Sequence, residues 1–318
     1  MSGVEGSAAP QTGSPVCDYE THGDRAAAAA RFSIDLYQPT MVQEALITRI
    51  RTFHRSCAGL NGMPLPGRSL SAPSQAGKSR AISECAARIN AEEPANPNRM
   101  LHVGLTERIT IKMLYQRILT CIGDPEAFGR YSLEILRQRC EELLPSVGVE
   151  LLAVDEVQLI GKQTSSNYEV ADALKSMLDQ GVVGILFAGN EQAGEIFEVN
   201  PQLRGRLGAP LSLPAANPKV AGEVKNLREF LASLDERMAG TGLTGISGLA
   251  KGKRVQRIGR SGSGHVGRIC RIVAAAFEHA CARGADSIED FDLSFAVAHL
   301  AIPAGWCVAN PFPEPEAW

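Results

Sequence analysis

Ala72-Pro73-Ser74-Gln75-Ala76-Gly77-Lys78-Ser79 follows the short run Arg68-Ser69-Leu70-Ser71 and opens a helix predicted from Gly77 to about Ile89. A loop between a strand and a helix N-terminus, closing on Gly-Lys-Ser, is the context of a phosphate-binding loop. Its amides and the helix dipole face the same anion. Lys78 adds a point charge for the β- and γ-phosphates of ATP, and the Ser79 hydroxyl is a ligand for Mg²⁺. Pro73, Ser74, Gln75, Ala76, Gly77, Lys78, Ser79 and Arg80 are therefore the candidate nucleotide contacts. The pattern departs from G-x-x-x-x-G-K-[ST] at its first position, where Ala72 stands and Pro73 biases it towards an extended backbone.

About 75 residues downstream, Leu151-Leu152-Ala153-Val154-Asp155-Glu156 puts two acids at the end of an apolar strand. Asp155 is placed to hold Mg²⁺ and Glu156 to polarise an attacking water. A third strand, Gly184-Ile185-Leu186-Phe187-Ala188-Gly189, ends on Asn190, whose amide can orient water or meet the γ-phosphate; Gly-Asn is also ordinary turn chemistry. Arg204 and Arg206 follow in Pro201-Gln202-Leu203-Arg204-Gly205-Arg206-Leu207. Arg206 is preferred as a group reaching the nucleotide of an adjacent subunit, with Arg204 as the alternative and plain surface solvation the bland reading.

Around these motifs, strands and helices alternate. Strands are predicted at Met100–Val103, Val149–Val154, Val182–Phe187 and Leu211–Leu213, and helices near 109–122, 132–144 and 168–178. Short apolar strands separated by helices imply a parallel sheet covered on both faces. A helix after Thr40 precedes this region, with Leu46, Ile50 and Phe53 on one face. After Pro214 only helices are expected, near 219–238, 246–258, 265–283 and 288–301. The expected organisation is a flexible tail over 1–38, an α/β nucleotide-binding core over 39–215, an all-helical domain over 216–302 and a tail over 303–318 holding Pro and Trp.

The 318 residues carry a net charge of -3, with 44% hydrophobic and 21% charged residues, so no global basic field draws the chain to nucleic acid. No apolar run is long enough to span a bilayer and no secretory leader is legible, so a cytoplasmic protein is expected, associated with the nucleoid when bound to DNA. The eight cysteines show no C-x-x-C and read as reduced, mostly buried thiols; the six histidines show no zinc spacing.

The order of these motifs resembles the AAA+ ATPases, a P-loop core with its parallel sheet between helices followed by a small helical lid. Within them the chain resembles the TniB and TnsC group, the regulators of Tn5053- and Tn7-like transposons, with MuB of phage Mu more distant. The resemblance runs from about Thr40 to Ala301 and rests on Val103-Gly104-Leu105, Leu114-Tyr115-Gln116-Arg117-Ile118-Leu119, Asp155-Glu156-Val157-Gln158, Phe187-Ala188-Gly189-Asn190, Leu203-Arg204-Gly205-Arg206-Leu207 and Gly264-His265-Val266-Gly267-Arg268-Ile269. Gln158 stands where that group commonly has histidine. The lid arginine that senses nucleotide would be Arg268, one place late against the common spacing, with Arg271 in reserve. The resemblance implies an ATPase that assembles on duplex DNA as a homo-oligomeric ring or filament, recruits a DDE transposase and in some systems a TniQ-type protein, and comes apart on hydrolysis.

Two patches offer phosphate contacts. One is Lys251, Lys253, Arg254, Arg257 and Arg260; the other is Thr106, Arg108, Thr110 and Lys112 after the Met100 strand, the position that lines DNA in filament-forming relatives. A solvated helix face is the competing reading of the first. Two other functions share such a core: an AAA+ ATPase of secretion or replication initiation, and a nucleotide-gated scaffold with little hydrolysis.

Overall fold

The computed structural model describes residues 19–60, 62–160 and 165–312. In chain order the helices α1 (Tyr19–Asp35) and α2 (Met41–Cys57) precede β1 (Gly67–Ser71), α3 (Lys78–Ala91), β2 (Met100–Gly104), α4 (Ile111–Cys121), α5 (Leu133–Ser146) and β3 (Leu151–Asp155). Then come α6 (Ser165–Asp179), β4 (Gly184–Gly189), the short α7 (Glu195–Val199) and α8 (Pro201–Arg204), and β5 (Leu211–Ser212). The remaining helices are α9 (Ala221–Ala239), α10 (Arg254–Ser261), α11 (Val266–Ala282) and α12 (Asp290–Ala296), the last continuing as one wide turn over Val297–Ala301. The described residues form two compact units, one within 39–215 and the other made of 19–38 with 216–312.

The first unit is built on a five-stranded, wholly parallel sheet in the order β2-β3-β4-β1-β5. Every residue of β3 and β4 is buried, as expected of central strands covered by helices on both faces. α2 begins at a capping box, in which the Thr40 hydroxyl accepts from the Gln43 amide and the Gln43 side chain accepts from the Thr40 amide. Its Leu46, Ile47, Ile50, Phe53 and Cys57 enter the same core as the sheet. Because all strands run the same way, the loops after β1, β2, β3 and β4 open at one edge of the sheet. The chain leaves β1 towards β2, β3 and β4 on one side and reaches β5 on the other, so the crevice beyond the end of β1 is the natural ligand position.

The second unit is helical. Residues 19–35, expected to belong to a flexible tail, instead form α1 and pack on α11: Ala26 and Ala29 are buried and Phe32 meets Phe277 edge-on with ring centroids 6.2 Å apart. The guanidinium of Arg25 donates to the carbonyls of Leu243 and Ala285. The part of the tail before Tyr19 lies outside the described residues. A second difference concerns the helix expected over 246–258. Left-handed Gly248 and Gly252 break the helical run, and helix begins only at Arg254. The buried carboxylate of Asp235 binds this turn by accepting the amides of Ser247, Gly248 and Leu249 at 2.8, 2.7 and 3.1 Å. Trp306 and Phe312 from the expected C-terminal tail are buried in the helical core, whereas Trp318 lies outside the described residues.

A fully buried carboxylate, Asp292, joins the end of α11 to α12. It meets His279 Nδ1 at 2.7 Å, accepts Arg283 Nε at 2.8 Å and accepts the Glu289 amide at 2.8 Å. Burial alone would raise its pKa, but the hydrogen bonds from Arg283 and His279 outweigh it and hold the carboxyl below its ordinary value. Asp292→Ala strips three partners at once and should lower the stability of the helical unit by about 2–3 kcal/mol. Chemical denaturation followed by circular dichroism checks this: an unchanged unfolding curve would show that the cluster is not a structural tie.

Among the described residues no disulfide occurs; Cys57, Cys85, Cys140 and Cys281 are buried free thiols, and burial pushes Cys57 up to about 11. No described helix is long and apolar enough to cross a membrane.

Candidate nucleotide site

The loop over residues 72–79 lies at the C-terminal edge of the sheet, between β1 and α3. Ala72 is buried and has no left-handed backbone, so the alanine in place of the first glycine meets no conformational penalty. Left-handed conformations fall instead at Gln75 (φ 62°) and Gly77 (φ 101°), the latter immediately before the helix. The Gln43 side chain donates to the Gly77 carbonyl at 3.4 Å, and the Ala76 amide donates to the Pro73 carbonyl at 3.1 Å. Together these bonds shape a loop whose cradle needs no side-chain cap at the α3 N-terminus, leaving that positive end open to an anion.

Lys78 and Asp155 are both buried, and Lys78 Nζ donates to Asp155 Oδ1 at 2.7 Å. The Ser79 hydroxyl donates to the other carboxylate oxygen, Oδ2. Glu156 Oε1 lies 3.7 Å from Lys78 Nζ. The two motifs separated by about 75 residues are thus one cluster, as their positions after β1 and β3 require. Burial would raise the Asp155 pKa; the His102 contact, the Lys78 charge and hydrogen bond, and the Ser79 hydroxyl outweigh it and hold the carboxyl well below the usual range. Whatever Asp155 adds to stability is therefore complete above about pH 4 and lost as the pH falls towards that depressed value.

Ser79 and Asp155 present hard oxygen atoms side by side, the donor set that Mg²⁺ takes when phosphates and water complete its octahedron. Among the described residues no group of three or more His, Cys, Asp or Glu could hold a metal ion.

Asn190 stands after β4, but its side chain accepts from the Gln192 amide at 2.9 Å and caps the turn over Glu191–Gly194. Its backbone amide donates to Gln158 Oε1 at 3.1 Å, and Gln158 Nε2 donates to Glu156 Oε2. The polar residue after β4 is linked to the Glu156 carboxylate through Gln158, with its own side-chain oxygen engaged locally.

Arg206 is not part of this cluster. Its Nε lies 2.6 Å from Asp179 Oδ1, and its carbonyl accepts from the Gly67 amide at the start of β1, so it stands at the opposite edge of the sheet from Lys78. Arg204 closes α8 nearby. In the helical unit, Arg268 lies on α11 with its guanidinium 5.8 Å from the Trp306 ring centroid, and Arg271 is exposed on the same helix.

Of the two basic patches, the lid stripe is less available than its sequence suggests. Arg254 and Arg257 both bind Asp290, at 2.6 and 3.1 Å, while Lys251, Lys253 and Arg260 remain exposed. The loop after β2 opens at the same sheet edge as the phosphate loop. Arg108 there is exposed in a left-handed conformation, Thr106 accepts from Arg117 at 3.2 Å, Thr110 caps α4, and Lys112 donates to the Tyr131 carbonyl at 3.1 Å.

His102 was not among the sequence candidates, yet its Nε2 is 3.4 Å from Asp155 Oδ2 and its Nδ1 is 2.9 Å from Ser83 Oγ. The pairing of His102 with Ala153 puts it on the face that also carries Asp155, two residues along the strand, a register that the sequence alone does not reveal.

A family model described as "Bacterial TniB protein" matches residues 43–216, more than half of the chain. Among solved structures, the chain is similar to the Aeropyrum pernix ORC1 protein in complex with DNA, at 16% identity and TM-score 0.63, covering 85% of this chain and 69% of that one. The Aeropyrum pernix ORC2 protein in its ADPNP-ADP complexes matches at 16% identity and TM-score 0.58, over 85% and 71%. Domain III of the Thermotoga maritima replication initiation protein DnaA matches at 11% identity and TM-score 0.53, over 82% and 93%. No curated protein matches the sequence. At these identities the structures show the fold alone: the α/β P-loop core and helical region of the AAA+ class.

Proposed function

We propose that this chain, which belongs to the bacterial TniB protein family, is an ATPase of the AAA+ class that assembles with ATP on duplex DNA to regulate transposition. The observation that carries the nucleotide part is the buried Lys78–Asp155–Ser79 cluster beneath an uncapped helix N-terminus, with Glu156 beside it. The Lys78 ammonium is paired with the Asp155 carboxylate. A bound triphosphate competes for the same ammonium, and the loop amides and α3 dipole add to its attraction.

Mg²⁺ would be held by Ser79 and, directly or through water, by Asp155, and would offset charge on the phosphates. Glu156 sits one residue further, half-exposed, where its carboxylate can take a proton from a water approaching the γ-phosphate. Arg206 stands at the edge of the sheet opposite Lys78, beside Asp179 and the start of β1. Arg206, about 15 Å away by strand length, serves a site only on a neighbouring copy. This supports assembly as part of the catalytic unit, with the ion pair to Asp179 holding the arginine until a neighbour docks.

The β2–α4 loop, through Arg108, Lys112 and Thr106, is the proposed DNA contact, a reading supported by its opening at the same sheet edge as the phosphate loop. Lys251 and Lys253 add a second contact, with Arg254 organising their turn through Asp290 and the Ser247 carbonyl. Arg268 is proposed as the nucleotide-sensing arginine of the helical unit, and Asn190 as a group positioned with Glu156. The family membership supports a DDE transposase, with a TniQ-type protein in some systems, as partners recruited by the assembled form.

A mixing experiment tests the shared site. Arg206→Ala and Glu156→Gln proteins should each bind ATP and hydrolyse it poorly. Mixed in equal amounts, they form some interfaces with an intact Glu156 and an intact Arg206, and turnover should rise about tenfold over either alone. Additive, unrestored rates would place Arg206 outside catalysis.

A further inference from the structure

We propose that Gln158 is the positioning residue of the hydrolytic carboxylate, fixing Glu156 and gauging it to the strand that enters the phosphate loop. The proposal deepens the ATPase reading and rests on Glu156 as the group that activates water.

Glu156 has a left-handed backbone (φ 63°) and a side chain 46% exposed. A glutamate so placed would sample several rotamers, and a carboxylate that wanders loses most of its value as a base. Gln158 removes that freedom. Its amide nitrogen donates to Glu156 Oε2 while its carbonyl oxygen accepts the Asn190 amide at 3.1 Å. With Oε2 held, Oε1 is the oxygen on the Lys78 side, 3.7 Å from Nζ, where the phosphates are expected.

The bridge is built into the backbone on both sides. Gln158 lies in a single helical turn over Val157–Leu159 anchored by the fully buried Val157. On the other side stands Gly189, where an added Cβ would lie 2.6 Å from Gln158 Oε1 and equally close to the Ala193 methyl. Only glycine admits the glutamine at this distance. The chain of bonds then continues. The Ser71 hydroxyl donates to the Asn190 carbonyl at 2.8 Å, and the Ala72 amide donates to the Gly189 carbonyl at 3.2 Å. Glu156, Gln158, the end of β4 and the first residue of the phosphate loop therefore form one connected set. A displacement of the loop by nucleotide is transmitted to the carboxylate through Gln158.

A primary amide suits the place because it donates and accepts at once. Histidine can do the same with its two ring nitrogens; glutamate offers no donor at neutral pH and adds a like charge; alanine offers neither. The test compares Gln158→Ala, Gln158→His and Gln158→Glu with wild type, reading kcat and KM for ATP, the Kd of a fluorescent ATP analogue, and thermal stability. Gln158→Ala should lose about tenfold to a hundredfold in kcat, with KM, Kd and melting temperature close to wild type. Gln158→His should recover a substantial part of the rate and Gln158→Glu should not. Wild-type turnover in Gln158→Ala would overturn the proposal, as would a parallel fall in affinity and melting temperature, which marks a merely structural role. A wild-type chain that hydrolyses no ATP would instead overturn the ATPase reading on which this one depends.

Discussion

Lys78→Ala is expected to leave a folded protein that no longer binds ATP measurably. The ammonium is the buried cation at the loop's helix end, and removing a charge-assisted contact to buried phosphate costs about 3–5 kcal/mol, or about two to four orders of magnitude in Kd. A second effect acts in the same direction. Asp155 is 3% exposed and now faces the incoming triphosphate without a counter-charge, so the variant replaces attraction with repulsion. The fold should survive because the rest of the core of β3, β4 and α2 is apolar and the pair stands at the C-terminal end of β3, beyond Val154. Titration with a fluorescent ATP analogue, beside a thermal melt of the free protein, separates loss of binding from loss of structure. Retained affinity in Lys78→Ala would remove this loop from the nucleotide site.

The second large effect is expected from Glu156→Gln. The substitution keeps the shape of the side chain and a carbonyl to accept the Gln158 hydrogen bond, but it removes the base. ATP binding should stay within about twofold of wild type, while turnover should fall by about two to four orders of magnitude. If hydrolysis is what dissolves the assembly, this variant should also remain on DNA after ATP is added, where wild type dissociates. Single-turnover hydrolysis and the lifetime of the DNA-bound oligomer are the two readings. Normal turnover would show that another group activates the water.

Much of this was legible in the sequence because it depends on local rules. The phosphate loop must lie between a strand and a helix, and the acidic pair must follow a strand that is apolar throughout. Those constraints make Lys78, Ser79, Asp155 and Glu156 legible as candidates in the sequence alone. What escaped depends on contacts distant in sequence. The Ala26–Ala30 run reads as no more than a helical turn in a mostly flexible tail, yet small residues at Ala26 and Ala29 are what allow α1 to lie close against α11. The helix expected from residue 246 is stopped by Gly248 and Gly252, whose turn is held by Asp235 on another helix. The basic stripe near residue 254 lost two of its cations to Asp290, more than 30 residues away. His102 became visible only with the strand register, which sets which side chains share a face with Asp155, and the bridging role of Gln158 only with its bonds to Glu156 and to the Asn190 amide 32 residues on.

The central claim is a nucleotide-controlled assembly on duplex DNA. Its most direct test is the binding of random-sequence duplex DNA with and without a non-hydrolysable ATP analogue, across a range of salt. The account predicts binding that appears only with the analogue and falls steeply with salt, and whose salt slope drops by about one for each of Arg108→Ala and Lys112→Ala. Duplex binding that is absent with the analogue, or equal with and without it, would contradict the account.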